Sequence, residues 1–129
     1  MTQFDFEKLI VYQKSLDYVD FVYEITENFP KHEQEAIVDQ FRRAAIRITV
    51  NINKAGKGTK KENINLLANS CRSVRECVLC TVIAFRRYHI NEDLHDKSKL
   101  FLGEILKLNR GMIGNLKKAS DKKMVANLN

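Results

Sequence analysis

Apolar residues return every three or four positions over most of this chain, the spacing of one buried face of an α-helix. Between residues 6 and 29, Leu9, Tyr12, Leu16, Val19 and Tyr23 make one such stripe. Tyr18, Val22, Ile25 and Phe29 make a second, roughly 120° round the same helix at about 100° per residue. Asp17, Asp20, Glu24 and Glu27 occupy what remains. Two stripes predict a helix buried on more than one side. That is either a wide core face or a contact with another copy, and Tyr18, Val22 and Ile25 are the candidates for such a contact.

Pro30 ends this helix, because proline lacks the N–H and disfavours helix at the residue before it. A second helix is expected from about residue 31 to 55, with Ile37, Phe41, Ala44, Ile48 and Ile52 inward. Gly56-Lys57-Gly58 breaks it. Thr59-Lys60-Lys61-Glu62 has the form of a capping box and opens a third helix. There Ile64, Leu67, Cys71, Val74, Val78, Thr81, Phe85 and Tyr88 keep the 3-4 spacing. Asn91 is the expected N-cap of a fourth helix, whose stripe is Leu94, Phe101, Ile105, Leu108 and Met112. Four helices joined by short turns predict an all-α, up-down-up-down antiparallel four-helix bundle over residues 1–118. Residues 119–129 read as a flexible basic tail.

Composition narrows the picture little. A chain of 129 residues, 44% hydrophobic and 29% charged, is one globular domain. A single proline and five glycines suit long helices. No apolar run reaches the roughly 18 residues of a membrane span, and the start carries no secretory signal pattern. A cytoplasmic protein with no membrane partner is the expectation.

Three cysteines imply no disulfide framework. Cys77 and Cys80 have a CxxC spacing inside a helix, and Cys71 faces away from Cys80. All three read as buried apolar residues, with no metal. His32, His89 and His95 fall at one end of the bundle beside Glu33, Glu92, Asp93 and Asp96. Solvated loop ends are the expected reading, with a metal site as the alternative. No phosphate loop and no nucleophile motif appears, so no enzyme and no cofactor is expected. Glu62 reads as a cap residue and Glu76 as the i,i+4 partner of Arg72.

The basic residues alter the picture. Lys and Arg number 22 against 16 Asp and Glu, a formal charge of +6. Arg43, Arg47 and Lys54 lie within about 40° on the second helix at 100° per residue, and Asp39 partly neutralises Arg43 one turn away. Lys57, Lys60 and Lys61 follow in the turn, and Lys117, Lys118, Lys122 and Lys123 lie at the same end. The opposite end holds Glu24, Glu27, Glu33, Glu35 and Asp39. A clustered positive field attracts phosphate. Arg43, Arg47, Lys54, Lys57, Lys60 and Lys61 are therefore the expected contacts to RNA or DNA. No aromatic is interleaved with these lysines, so phosphate and shape rather than stacked bases would be read there. The alternative is a solubilising face on a protein-interaction scaffold.

Phe29-Pro30-Lys31-His32-Glu33, followed by Gln40-Phe41-Arg42-Arg43-Ala44-Ala45-Ile46-Arg47-Ile48, resembles the 23S ribosomal RNA intervening-sequence protein family. Asn51-Ile52 matches the start of that family's next element, while Asn53-Lys54-Ala55 departs from it, with Lys54 at the usual acidic position. Ser73 and Glu76 match an element on the third helix, where Arg72 replaces a glycine. The resemblance covers residues 4–118 and implies a small bacterial four-helix bundle. The fold is shared with accessory proteins of diversity-generating retroelements, which the stretch from Gly103 to Gly114 also resembles. That likeness implies a homopentamer, nucleic-acid binding, RNA ahead of DNA, and, on the retroelement reading, a reverse transcriptase as partner.

Overall fold

Thr2 starts the first helix. Its hydroxyl accepts from the Asp5 N–H at 3.1 Å, and the Asp5 carboxylate accepts from the Thr2 N–H at 3.1 Å. This capping box begins α1, Gln3–Thr26, several residues before the first apolar stripe. The computed structural model describes the backbone of residues 1–128 and the side chains of residues 1–119. It continues with α2 (Asp39–Lys54), α3 (Lys60–Arg86) and α4 (Glu92–Leu128). Helices α1 and α2, α2 and α3, α3 and α4, and α4 and α1 pack side by side, which closes the four-helix bundle. No strand occurs among the described residues. From residue 120 onward, the tail expected at 119–129 lies outside the described side chains, and Lys122 and Lys123 with it.

The entry to α2 departs from the expected continuous helix at 31–55. Lys31–Glu33 is a single 3₁₀ turn, and Gln34–Val38 is a π turn kinked at Ala36 (φ −117°, ψ −105°). Regular α-helix begins only at Asp39. The kink brings Ile37 and Val38 to the core, so apolar burial holds the irregular turn in place.

Both stripes of α1 reach the core, as a wide core face requires, with Tyr12 and Val19 of the first stripe half-buried against it. Tyr18 and Val22 are fully buried in the protomer and Ile25 packs against the same core. The expected contact between copies through Tyr18, Val22 and Ile25 is thereby corrected: this stripe is the bundle's own interior. Leu9 and Tyr23, from the other stripe, stand exposed, and Ile46 and Val50 are exposed on the neighbouring α2. The reason lies on the facing helices. Tyr18 finds a hydroxyl on α4, and its ring lies 5.3 Å from that of Phe101 in an edge arrangement.

The interior carries a polar seam that hydrophobic periodicity does not register. Ser98 bonds both Tyr18 (2.9 Å) and Thr81 (2.8 Å), and Thr81 donates to the Cys77 carbonyl at 2.8 Å. Asn109 donates to Ser70 at 2.9 Å, which donates to the Ile48 carbonyl at 3.1 Å. Thr49 donates to Ser15 at 3.0 Å. The buried line of α4 is therefore Ser98, Leu102, Ile105, Asn109 and Met112. Leu94, Phe101 and Leu108 flank it. On α3 the buried line ends at Ala84, and both Phe85 and Tyr88 are exposed.

Candidate nucleic-acid interface

The turn between α2 and α3 is built by three devices. Ala55 ends α2, its N–H returning to the Asn51 and Ile52 carbonyls at 3.2 Å. Gly56 takes φ 101°, where a side chain is disfavoured, and a Cβ there would lie 2.8 Å from the Phe4 ring. Thr59 and Glu62 complete the expected capping box, at 3.2 and 3.3 Å. The Asn63 carboxamide spans the turn, accepting from Gly56 N–H at 2.8 Å and donating to the Gly58 carbonyl at 3.3 Å. The turn is thus a fixed platform.

Lys54, Lys57, Lys60 and Lys61 are carried by this platform, and all but the half-buried Lys60 are exposed. None of the four is in an ion pair among the described residues. Lys8 joins them: its ammonium donates to the Asn53 carbonyl at 3.0 Å. Burial, then the nearby Lys57 ammonium, lowers the Lys8 pKa from its ordinary value. The Asp5 carboxylate opposes that shift, and the nearness of Lys8 to Lys57 is a grouping that sequence spacing could not show across 49 positions. Asn115 lies 3.5 Å from Glu7, so Lys117 and Lys118 come to this end as well.

Arg43 and Arg47 do not belong to the cluster. At about 1.5 Å rise per residue they sit some 16 and 10 Å up α2 from Lys54. Arg43 donates to Asp39 at 2.9 Å. Arg47 is engaged by Glu76 on α3, whose other oxygen accepts from Gln40 at 3.1 Å. Glu76 is therefore an interhelical clasp and not the partner of Arg72, which donates to Asn69 instead. Arg72, Arg75 and Arg110 stand exposed on α3 and α4, without an ion-pair partner among the described residues.

At the other end the histidines separate. His89 pairs with Glu33 at 2.8 Å, His95 with Asp96 at 2.9 Å, and His32 is exposed. Among the described residues no group of three His, Cys, Asp or Glu side chains is placed to hold a metal ion. Cys71, Cys77 and Cys80 are all buried free thiols. Asn91 caps α4 as expected, accepting from the Leu94 N–H at 2.8 Å. Among the described residues no helix is long and apolar enough to cross a membrane.

Residues 7–111 match the 23S rRNA-intervening sequence protein family. The chain belongs to that family. Its fold is also that of a solved structure from Bacteroides thetaiotaomicron, described as a protein with unknown function from the S23 ribosomal protein family. The two share 20% identity with a TM-score of 0.76, over 84% of this chain and 98% of that one. No curated protein matches the sequence. In this intervening-sequence family member, the matched span takes in the whole α2–α3 turn and its lysines.

Proposed function

We propose that this protein is a non-enzymatic nucleic-acid-binding bundle, RNA ahead of DNA, that meets phosphate through the α2–α3 turn. The observation that carries the reading is the grouping of Lys8, Lys54, Lys57, Lys60 and Lys61 at one end, with no carboxylate in an ion pair to any of them among the described residues. Arg43 and Arg47 take a smaller part than their sequence position suggests, because carboxylates already hold them. The family's link to 23S rRNA by name favours RNA.

Self-association belongs to the same reading. The exposed Leu9 and Tyr23 of α1, with Ile46 and Val50 of α2, supply apolar surface for a contact between copies. A repeated heterologous contact closes into a ring and brings several lysine ends to one strand. Binding of RNA and DNA duplexes measured across a salt series, with the mass in solution by light scattering, tests both parts. Salt-dependent binding by an oligomer supports them. A 15.0 kDa particle at micromolar concentration contradicts the ring, and no binding at physiological salt contradicts the function.

A further inference from the structure

Tyr88 occupies a position made for glycine. It follows the last turn of α3, with φ 65°, the only positive φ of a non-glycine residue among the described ones. The Tyr88 N–H returns to the Phe85 carbonyl at 3.0 Å, and the His89 N–H to the Ala84 carbonyl at 2.9 Å. This is a Schellman turn, whose left-handed residue is usually glycine because an L side chain crowds its own carbonyl there. Folding gains nothing visible from the side chain. Tyr88 is 95% exposed and its hydroxyl has no hydrogen bond among the described residues. A residue that breaks a local rule without stabilising the fold marks a place where function is served instead.

The surroundings indicate what is served. Tyr88 borders a cleft of about 690 Å³, together with Phe85, Arg86, Asn91 and Leu94. Phe85 is exposed at its rim and packs against His95, with ring centroids 4.7 Å apart and the planes tilted by 38°. The Asn91 carboxamide oxygen caps α4, which leaves its NH₂ as a free donor. Arg86 and Arg87 are exposed and without ion pairs among the described residues. No carboxylate lines the cleft. Glu33 and Asp96, which touch His89 and His95, are engaged by those rings. Glu92 and Asp93 lie outside the lining, in the first turn of α4. The open Tyr88 ring, the Arg86 guanidinium and an amide donor make the chemistry of a base and its phosphate.

We infer that the cleft at the α3–α4 turn holds an unpaired nucleobase, stacked on Tyr88, with Arg86 on the adjoining phosphate. The inference rests on the reading of the chain as a nucleic-acid binder and adds a preference for single strands. Arg72 and Arg75, exposed on α3, lie between this cleft and the lysine end. Lys61 and Tyr88 are about 40 Å apart along α3 at 1.5 Å rise per residue. The lysine end meets either strand form, while the cleft discriminates.

The test measures binding of a 12-nucleotide oligo(A) and of a 12-base-pair RNA duplex at fixed salt. The variants are Tyr88→Gly, Tyr88→Phe and the quadruple change of Lys54, Lys57, Lys60 and Lys61 to Gln. Tyr88→Gly should weaken oligo(A) binding about tenfold and leave duplex binding unchanged, while the melting temperature rises by a few degrees. Tyr88→Phe should bind oligo(A) like the parent. Unchanged oligo(A) affinity in Tyr88→Gly, or equal loss for both probes, overturns the stacking site. If at the same time the quadruple variant loses both probes, the lysine reading stands without it. If the parent binds neither probe at physiological salt, both fall.

Discussion

The phenol oxygen of Tyr18 on α1 lies 2.9 Å from the Ser98 hydroxyl on α4, and Thr81 on α3 approaches the same hydroxyl at 2.8 Å. Three helices meet at this fully buried point. Burial pushes the Tyr18 hydroxyl well above its ordinary pKa, so it stays a neutral partner. Tyr18→Phe should cost about 1 kcal/mol, the net worth of one hydrogen bond, because Ser98 keeps Thr81. Tyr18→Glu should unfold the protomer, since it places an unpaired charge in the core. Urea denaturation of both variants checks this. A folded Tyr18→Glu protein that only loses its oligomeric state would contradict the placement.

Much of this fold is legible in the sequence. Thr59 and Glu62 announce the start of α3, Asn91 announces that of α4, and three apolar cysteines follow from their places on one helix. What periodicity misses is the polar interior. Ser98 and Asn109 sit on the buried line of α4, so a search for apolar residues shifts that face toward Leu94 and Leu108. Both stripes of α1 are apolar and both reach the core, and the partners of Tyr18 on facing helices draw the second one fully inside. For the candidate site, four lysines are local in sequence and readable. Lys8 is not, because a contact between distant helices brings it there. The pairing of Arg47 by Glu76 is invisible for the same reason.

Two single changes at helix ends should move stability in opposite directions. Tyr88→Gly removes an L side chain from a left-handed position and should stabilise the fold by about 1 kcal/mol. Gly56→Ala puts one into such a region and drives a methyl against Phe4, so it should destabilise by about 1 to 2 kcal/mol. Thermal unfolding of the pair measures this. Equal shifts of the same sign would contradict the assigned turn geometries.

Burial raises the three thiols above their ordinary value of 9.0, Cys80 to about 11 and Cys77 further. The folded state thus holds these protons more tightly than the unfolded chain. Their contribution is intact below about pH 9 and is lost as pH rises through 9 toward the folded values. The urea midpoint should therefore fall between pH 9 and 10.5. Iodoacetamide at pH 8 should leave the folded chain almost unlabelled and alkylate all three cysteines in urea. Rapid labelling of Cys77 or Cys80 without denaturant would contradict their burial.

Thr59→Ala removes the oxygen that accepts from the Glu62 N–H and should cost about 1 kcal/mol. Because the same box orients the first turn of α3, nucleic-acid affinity should fall with it. Stability measured by denaturant and binding measured below the melting point separate the two effects. Unchanged stability would show that Asn63 alone fixes the turn.

The central claim is that the lysines of the α2–α3 turn meet phosphate. Its most direct measurement is the slope of log affinity against log salt for an RNA duplex, in the parent and in the Lys54, Lys57, Lys60 and Lys61 to Gln variant. Each phosphate neutralised contributes about 0.7 to 0.9 to that slope. The variant should therefore bind more weakly with a slope flatter by about 3, at nearly unchanged melting temperature. Equal affinity and equal slope across the salt range would contradict the assignment of this end as the nucleic-acid interface.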